Sequence, residues 1–186
     1  MDDIPKIGIT GMPGVGKTET LKKIIGFLEE AGYVVEGMIT EPIIEDNKRV
    51  GFNVVDWQTH EQHVFAHVDF EEKEKVGKYG VDTNALDVIG IPAIEKAITD
   101  ERVHIIVIDE IGKMEMLSEN FCECVTLALD SDKPIMVTLH KKSRTPLLQD
   151  VRRRDDIRIL EVTPVNRNLL PYKIEKIMKE KLPPLY

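Results

Sequence analysis

Apolar positions along the chain fall into two alternating rhythms, short unbroken runs and runs spaced as on a helix. Lys6 to Thr10 is such an unbroken run and predicts a buried strand. It is followed by a glycine-rich stretch and then by Leu21, Ile24, Ile25 and Leu28, whose spacing puts one apolar stripe on a helix that Gly32 ends. Tyr33 to Ile39 predicts the next strand. From Thr40 to Tyr79 the pattern breaks into short extended pieces, Arg49 to Val55 and His63 to Val68, joined by polar connections, and reads as a hairpin-rich insertion.

Helical and strand patterns then alternate to the end. Asp82 to Asn84 signals a helix start, Ala85 to Thr99 is helical in pattern despite Pro92, and Val103 to Asp109 is a β-branched run ending in acid. Leu117 to Leu129 predicts a helix, Pro134 to Leu139 a strand, Pro146 to Arg153 a short helix, Ile157 to Thr163 a last strand, and Asn166 to Lys181 a closing helix. Such alternation implies an α/β fold, a mostly parallel sheet with helices on both faces and ligands at the carboxyl ends of the strands. No repeat or long linker divides the chain, so residues 1–186 are expected to form one domain, with 40–80 as a β-rich insertion.

Two motifs lie at those carboxyl ends. GMPGVGKT meets the spacing G-x-x-x-x-G-K-T with Gly11, Gly16, Lys17 and Thr18, between the strand and the helix that a phosphate loop needs. Gly14 and Gly16 allow the backbone of Gly11, Met12, Pro13, Gly14, Val15 and Gly16 to turn its amides inward, and the helix start adds its positive dipole end. Lys17 is suited to the β- and γ-phosphates, and the Thr18 hydroxyl to a magnesium ion bridging them. HIIVIDE ends with Asp109, suited to the metal shell, and Glu110, suited to take a proton from water or to orient it for attack on the γ-phosphate. Lys113 follows closely enough to face the same phosphate or to pair with Glu110.

Composition narrows the partners. The 186 residues carry a formal net charge of -8, which disfavours wrapping nucleic acid and leaves phosphates to be held locally. The acidic N-terminus and the absence of any run of about twenty apolar residues argue against export and against a membrane, so a cytoplasmic chain is expected. Cys122 and Cys124, two apart in a helical stretch, point to different faces and favour neither a disulfide nor a metal pair. His60, His63 and His67 lack a partner at ligand spacing and read as exposed histidines.

KRVGF (Lys48 to Phe52), VGKYGVD (Val76 to Asp82) and VTPVNRNLLP (Val162 to Pro171) stand in order around VIDEIGKMEM. Together with the phosphate loop they resemble the THEP-type nucleoside-triphosphatases over nearly the whole chain. The resemblance implies a RecA-like P-loop NTPase fold and magnesium-dependent hydrolysis of ATP, GTP and other nucleoside triphosphates to diphosphate and phosphate, with loose base choice. It implies that Gly11 to Thr18 hold the triphosphate, Asp109 the metal and Glu110 the water, while Asn166 and Arg167 meet the base or ribose and Arg49, Lys78 and Tyr79 surround the cleft. A monomer is expected. Family members often carry an arginine shortly after the Thr-Glu pair, whereas this chain reads TEPIIEDN from Thr40 to Asn47.

One basic cluster remains, KKSRTPLLQDVRRR from Lys141 to Arg154. Its position after a strand suits a mobile lid whose Arg144 neutralises transition-state charge, although Arg152 to Arg154 beside Asp155 and Asp156 read more readily as a solvated helix end. Two other functions stay open. A nucleoside or polynucleotide kinase would need an acceptor pocket, for which the insertion offers Phe52, Trp57 and Phe65. A nucleotide-dependent switch would need a partner, and no residue names one.

Overall fold

The computed structural model describes residues 3–71 and 73–185. One nine-stranded sheet runs through it in the order β5-β6-β4-β3-β2-β7-β8-β1-β9. The parallel part comprises β1 (Lys6–Gly11), β2 (Val35–Glu45), β7 (Ile105–Ile111), β8 (Ile135–His140) and β9 (Arg158–Glu161). β2 then turns back through Asp46 and Asn47, both at positive φ (50° and 62°), into β3 (Lys48–Asp56), a two-residue turn that suits the twist of a hairpin. Through β4 (Gln62–His67), β5 (Glu74–Val76) and β6 (Tyr79–Val81) the antiparallel strands extend the same sheet. The hairpin-rich stretch is therefore an extension of the sheet rather than a unit beside it, and β2 runs six residues past the expected Ile39, to Glu45.

Alternation along the central strands supplies both faces with core. In β7, Ile106 and Ile108 pack with Ile94 of α2 (Ile91–Thr99) and Phe121 and Val125 of α3 (Glu119–Asp130). Ile105 and Val107 face the other way, against Leu21, Ile24 and Leu28 of α1 (Lys17–Glu30) and Ile174 and Met178 of α5 (Leu170–Lys181). Burying each such side chain contributes about 1.5–3 kcal/mol. Ser118 starts α3 by accepting a hydrogen bond from the Phe121 amide at 3.1 Å.

Several boundaries differ from those predicted. A π-helical turn, Leu86–Gly90, precedes α2, and Pro92 sits in the first turn of α2, where its missing amide leaves no bond unmade. α5 starts at Leu170 rather than Asn166, because the Asn166 side chain is engaged in the preceding turn: its Oδ1 accepts from the Thr163 amide at 2.7 Å and its amide donates to the Glu161 carbonyl at 2.9 Å. β9 closes at Glu161, two residues before the expected end. No helix among the described residues is long and apolar enough to cross a membrane.

Candidate functional site

The sharp loop between β1 and α1 is built on Gly14 and Gly16, whose φ values of 77° and 108° lie in the left-handed region. The Val15 amide donates to the Met12 carbonyl at 3.1 Å, closing the turn, and the remaining amides meet the start of a 14-residue helix, an anion-binding arrangement. Lys17 folds back across this loop and is only 7% exposed. Its ammonium donates to the Gly11 carbonyl at 3.3 Å and lies 3.1 Å from Oε2 of Glu110.

Asp109 is fully buried at the end of β7. Its Oδ1 accepts from Thr138 at 2.5 Å, and its Oδ2 accepts from Thr18 at 2.9 Å and Thr40 at 3.3 Å. Burial pushes its carboxyl up to about 6, opposed by the hydrogen bonds from Thr138 and Thr18 and reinforced by the neighbouring Glu110 charge. A buried carboxylate ringed by hydroxyls, with Thr18 at hydrogen-bond distance, is an oxygen-only donor set of the kind that suits a small hard cation such as magnesium.

Two groups absent from the sequence-based site complete this end of the cavity. Glu115, on a short 3-10 turn after β7, lines it while only 5% exposed. Burial and then the adjacent Glu110 raise its carboxyl well above the ordinary range. His140, the last residue of β8, takes hydrogen bonds on Nδ1 from the Ser143 amide at 2.9 Å and the Lys142 amide at 3.2 Å. Its proton therefore belongs on Nε2, and burial lowers its pKa from the ordinary value. Position at a strand's carboxyl end was the one available sign for His140; Glu115 had none, because only the fold of the 3-10 turn brings it back beside Glu110.

The cavity, about 430 Å³, opens between the phosphate loop, the ends of β7 and β8, and the antiparallel extension. Pro13, Gly14, Gly16, Lys17, Thr18 and Glu110 line it, and so do Arg49, Tyr79 and Lys113. Phe52 and Phe65 line it as well, but Trp57 lies elsewhere, its indole donating to Glu29 at 3.4 Å beside α1. Arg144, Asn166 and Arg167 are not among its lining residues. Glu41 pairs with Lys22 of α1 at 2.9 Å.

Within the basic cluster Arg153 is exposed as a solvated helix end would be, but Arg152 and Arg154 are not. Arg152, in the last turn of α4 (Pro146–Arg153), donates to the carbonyls of His140 at 2.5 Å, Ser143 at 2.6 Å and Lys141 at 3.0 Å. It thereby fixes the turn that holds the His140 ring. Arg154 pairs with Asp130 at 2.7 Å and Asp156 at 2.9 Å. Arg144 itself is exposed on this loop. Among the described residues no group of three or more His, Cys, Asp or Glu is arranged to hold a metal ion by itself, and both cysteines are free.

Known proteins resemble this chain in sequence and in fold. A family model described as NTPase matches residues 6–175. The chain is 40% identical to nucleoside-triphosphatase THEP1 of Picrophilus torridus over 93% of its length and 95% of that protein, and 47% identical to that of Methanocaldococcus jannaschii over 73% and 78%. Its fold is similar to the crystal structure of THEP1 from Aquifex aeolicus (TM-score 0.80, 32% identity, 94% of this chain and 99% of that one). It is similar also to the solution structure of a human cancer-related nucleoside triphosphatase (TM-score 0.82, 30% identity, 96% and 100%).

Proposed function

The chain belongs to the NTPase family and is a nucleoside-triphosphatase, and on that premise we propose a magnesium-dependent hydrolysis of several nucleoside triphosphates to diphosphate and phosphate at the cavity beside Lys17. The observation that carries the reading is the pair of contacts at the loop: Thr18 on Asp109 at 2.9 Å, and Lys17 on Glu110 at 3.1 Å.

Loop amides from Gly11 to Thr18 and the Lys17 ammonium hold the β- and γ-phosphates. Thr18 and Asp109 are the residues that would hold magnesium, which when bound supplies positive charge against the oxygens of the transferring group. A γ-phosphate offers Lys17 a more highly charged partner than Glu110. Once Lys17 turns to it, the Glu110 carboxylate is left to accept a hydrogen bond from a water and align it for in-line attack. Loose base choice follows where binding energy sits on phosphates common to all substrates. Arg144, Asn166 and Arg167, outside the cavity wall, enter this reading only through loop movement or through contacts to the sugar and base beyond the phosphates.

The test is Glu110→Gln with parallel binding and turnover assays. The variant is expected to bind ATP and GTP with magnesium near the parent's affinity while turnover falls about 10²–10⁴-fold; full turnover would overturn the role given to Glu110. Chelation of magnesium should abolish phosphate release and restoration should recover it, and ATP, GTP, CTP and UTP should give kcat/KM values within about tenfold.

A further inference from the structure

Hydrolysis needs room for a terminal phosphate and one water, but much of the cavity is built for something else. Away from the phosphate loop its wall is Phe52, Phe65, Val76, Tyr79 and Met114. Phe52 and Tyr79 meet edge to face with centroids 5.4 Å apart, and the Tyr79 hydroxyl donates to the Arg49 carbonyl at 3.4 Å, tying β3 to β6 across the mouth. The Arg49 guanidinium stands 5.3 Å from the centre of the Phe52 ring, and the Lys78 ammonium stands 5.3 Å from that of Tyr79. Lys113 joins Arg49 in the lining, whereas Lys78 stands outside it, behind Tyr79. On a chain of net charge -8, Arg49 and Lys113 offset Glu110 and Glu115 in the same lining, so cations gather at the aromatic half. It fits a ligand that joins a planar ring to an anionic group.

Position says what such a ligand would do. Lys17 reaches Glu110 at the end of β7 and the Leu139 carbonyl, at 3.5 Å, at the end of β8, so a terminal phosphate on this lysine lies over those two strand ends. Strand order places β2, β3, β4 and β6 on one side of them, and β1, β9 and the loop 163–169 on the other. The rest of a bound triphosphate follows the loop toward β1 and the start of α1. The aromatic half therefore lies beyond the terminal phosphate, on the side where an attacking group enters beside Glu110.

We infer that this half is an acceptor site for a nucleoside monophosphate, its base against Phe52 and Tyr79 and its phosphate drawn by Arg49 and Lys113 toward the donor. The inference rests on the donor position given under the proposed function. In the step, an oxygen of the monophosphate forms a bond to the γ-phosphorus of the triphosphate. The bond from that phosphorus to the β-γ bridging oxygen breaks, and its electron pair leaves with the donor as nucleoside diphosphate. The acceptor becomes a second diphosphate, and no net proton is transferred. Water takes the acceptor's place when the pocket holds none, which gives hydrolysis.

The experiment incubates the protein with magnesium and γ-labelled ATP or GTP, with AMP, GMP, CMP or UMP at rising concentration, and separates labelled diphosphate from free phosphate. Labelled diphosphate is expected to form with at least one monophosphate, to saturate, and to suppress phosphate release. In the double variant Arg49→Ala and Tyr79→Ala the ratio of labelled diphosphate to free phosphate should fall at least tenfold. Free phosphate with no labelled diphosphate for any of the four monophosphates overturns the acceptor site and leaves hydrolysis standing. A proportional fall of both products in the double variant, with a raised KM for ATP, overturns it too, because the pocket would then seat the substrate's own base. Absence of both products from the parent protein would remove the hydrolytic reading and the acceptor site together.

Discussion

Glu36 has none of its side chain exposed, yet it is an acid facing another acid. Its Oε1 accepts from the amides of Gly37 at 2.7 Å and Gln58 at 3.2 Å, while Lys96 lies 3.3 Å from Oε2 and directs a hydrogen bond to Gln58 at 3.0 Å instead. Oε2 has no hydrogen-bond partner. Burial first, then the neighbouring Asp56 carboxyl, raise its carboxyl from the ordinary 4.5 to about 7, against the two amides. The folded chain thus holds this proton more tightly than the unfolded chain, and the contribution of Glu36 to stability falls as pH climbs from about 4.5 to about 7. Glu36→Gln keeps the amide acceptor and removes the charge. It is expected to be more stable than the parent at pH 8 by on the order of 1–3 kcal/mol, with the gap closing near pH 5. Urea midpoints of both proteins at the two pH values measure this; an equal gap at both would show that lost Lys96 attraction or packing, not proton uptake, separates them. Asp109 is buried to the same degree but is ringed by hydroxyls, whereas Glu36 lies near the start of β2, before Thr40, and has no such ring.

At the scale of elements, the pairing of β2 with β7 joins the motif strand to the extension, and it depends on Gly37. There φ is 149° and a Cβ would stand 1.9 Å from the Val107 carbonyl oxygen, a backbone atom that cannot swing away. Gly37→Ala is expected to force the two strands apart and cost at least about 3 kcal/mol, beyond the usual range for a point change. Lowered urea stability with lost turnover would be the outcome; a parent-like midpoint would mean that the strands can part locally. The elements around this pair were legible to very different degrees. The phosphate loop and β7 were legible because each carries its chemistry within eight consecutive residues. β5 and β6, three residues each, are too short for a period of two to register. The β8 to α4 turn was misread because charge density alone cannot tell Arg152, whose guanidinium is spent on three carbonyls, from an arginine in water. Glu115 and the wall from Arg49 to Tyr79 became visible only once strands distant in sequence lay side by side.

For the whole molecule, the question is whether the antiparallel extension is a separable attachment or part of one folding unit. β2 answers through its two edges: residues 35–38 pair with β7, and residues 38–45 pair with β3. The packing agrees, since Val54, Phe65 and Val81 of the extension share a core cluster with Ile106, Ile108 and Phe121 of the central sheet. Trp57, the only tryptophan, follows β3 and packs on the opposite face with the cluster under α1 and α5. Its fluorescence therefore reports the extension and the phosphate-loop side together, while far-ultraviolet circular dichroism reports all the helices. Both are expected to change in one coincident urea transition, and ATP with magnesium should move the two midpoints upward by the same amount, because ligand bound only to the folded state stabilises whatever unfolds with it. An early fluorescence transition insensitive to nucleotide would instead make residues 40–80 an independent unit. The acceptor pocket would then sit on a part that moves relative to Lys17, and phosphoryl transfer would have to wait for its closure.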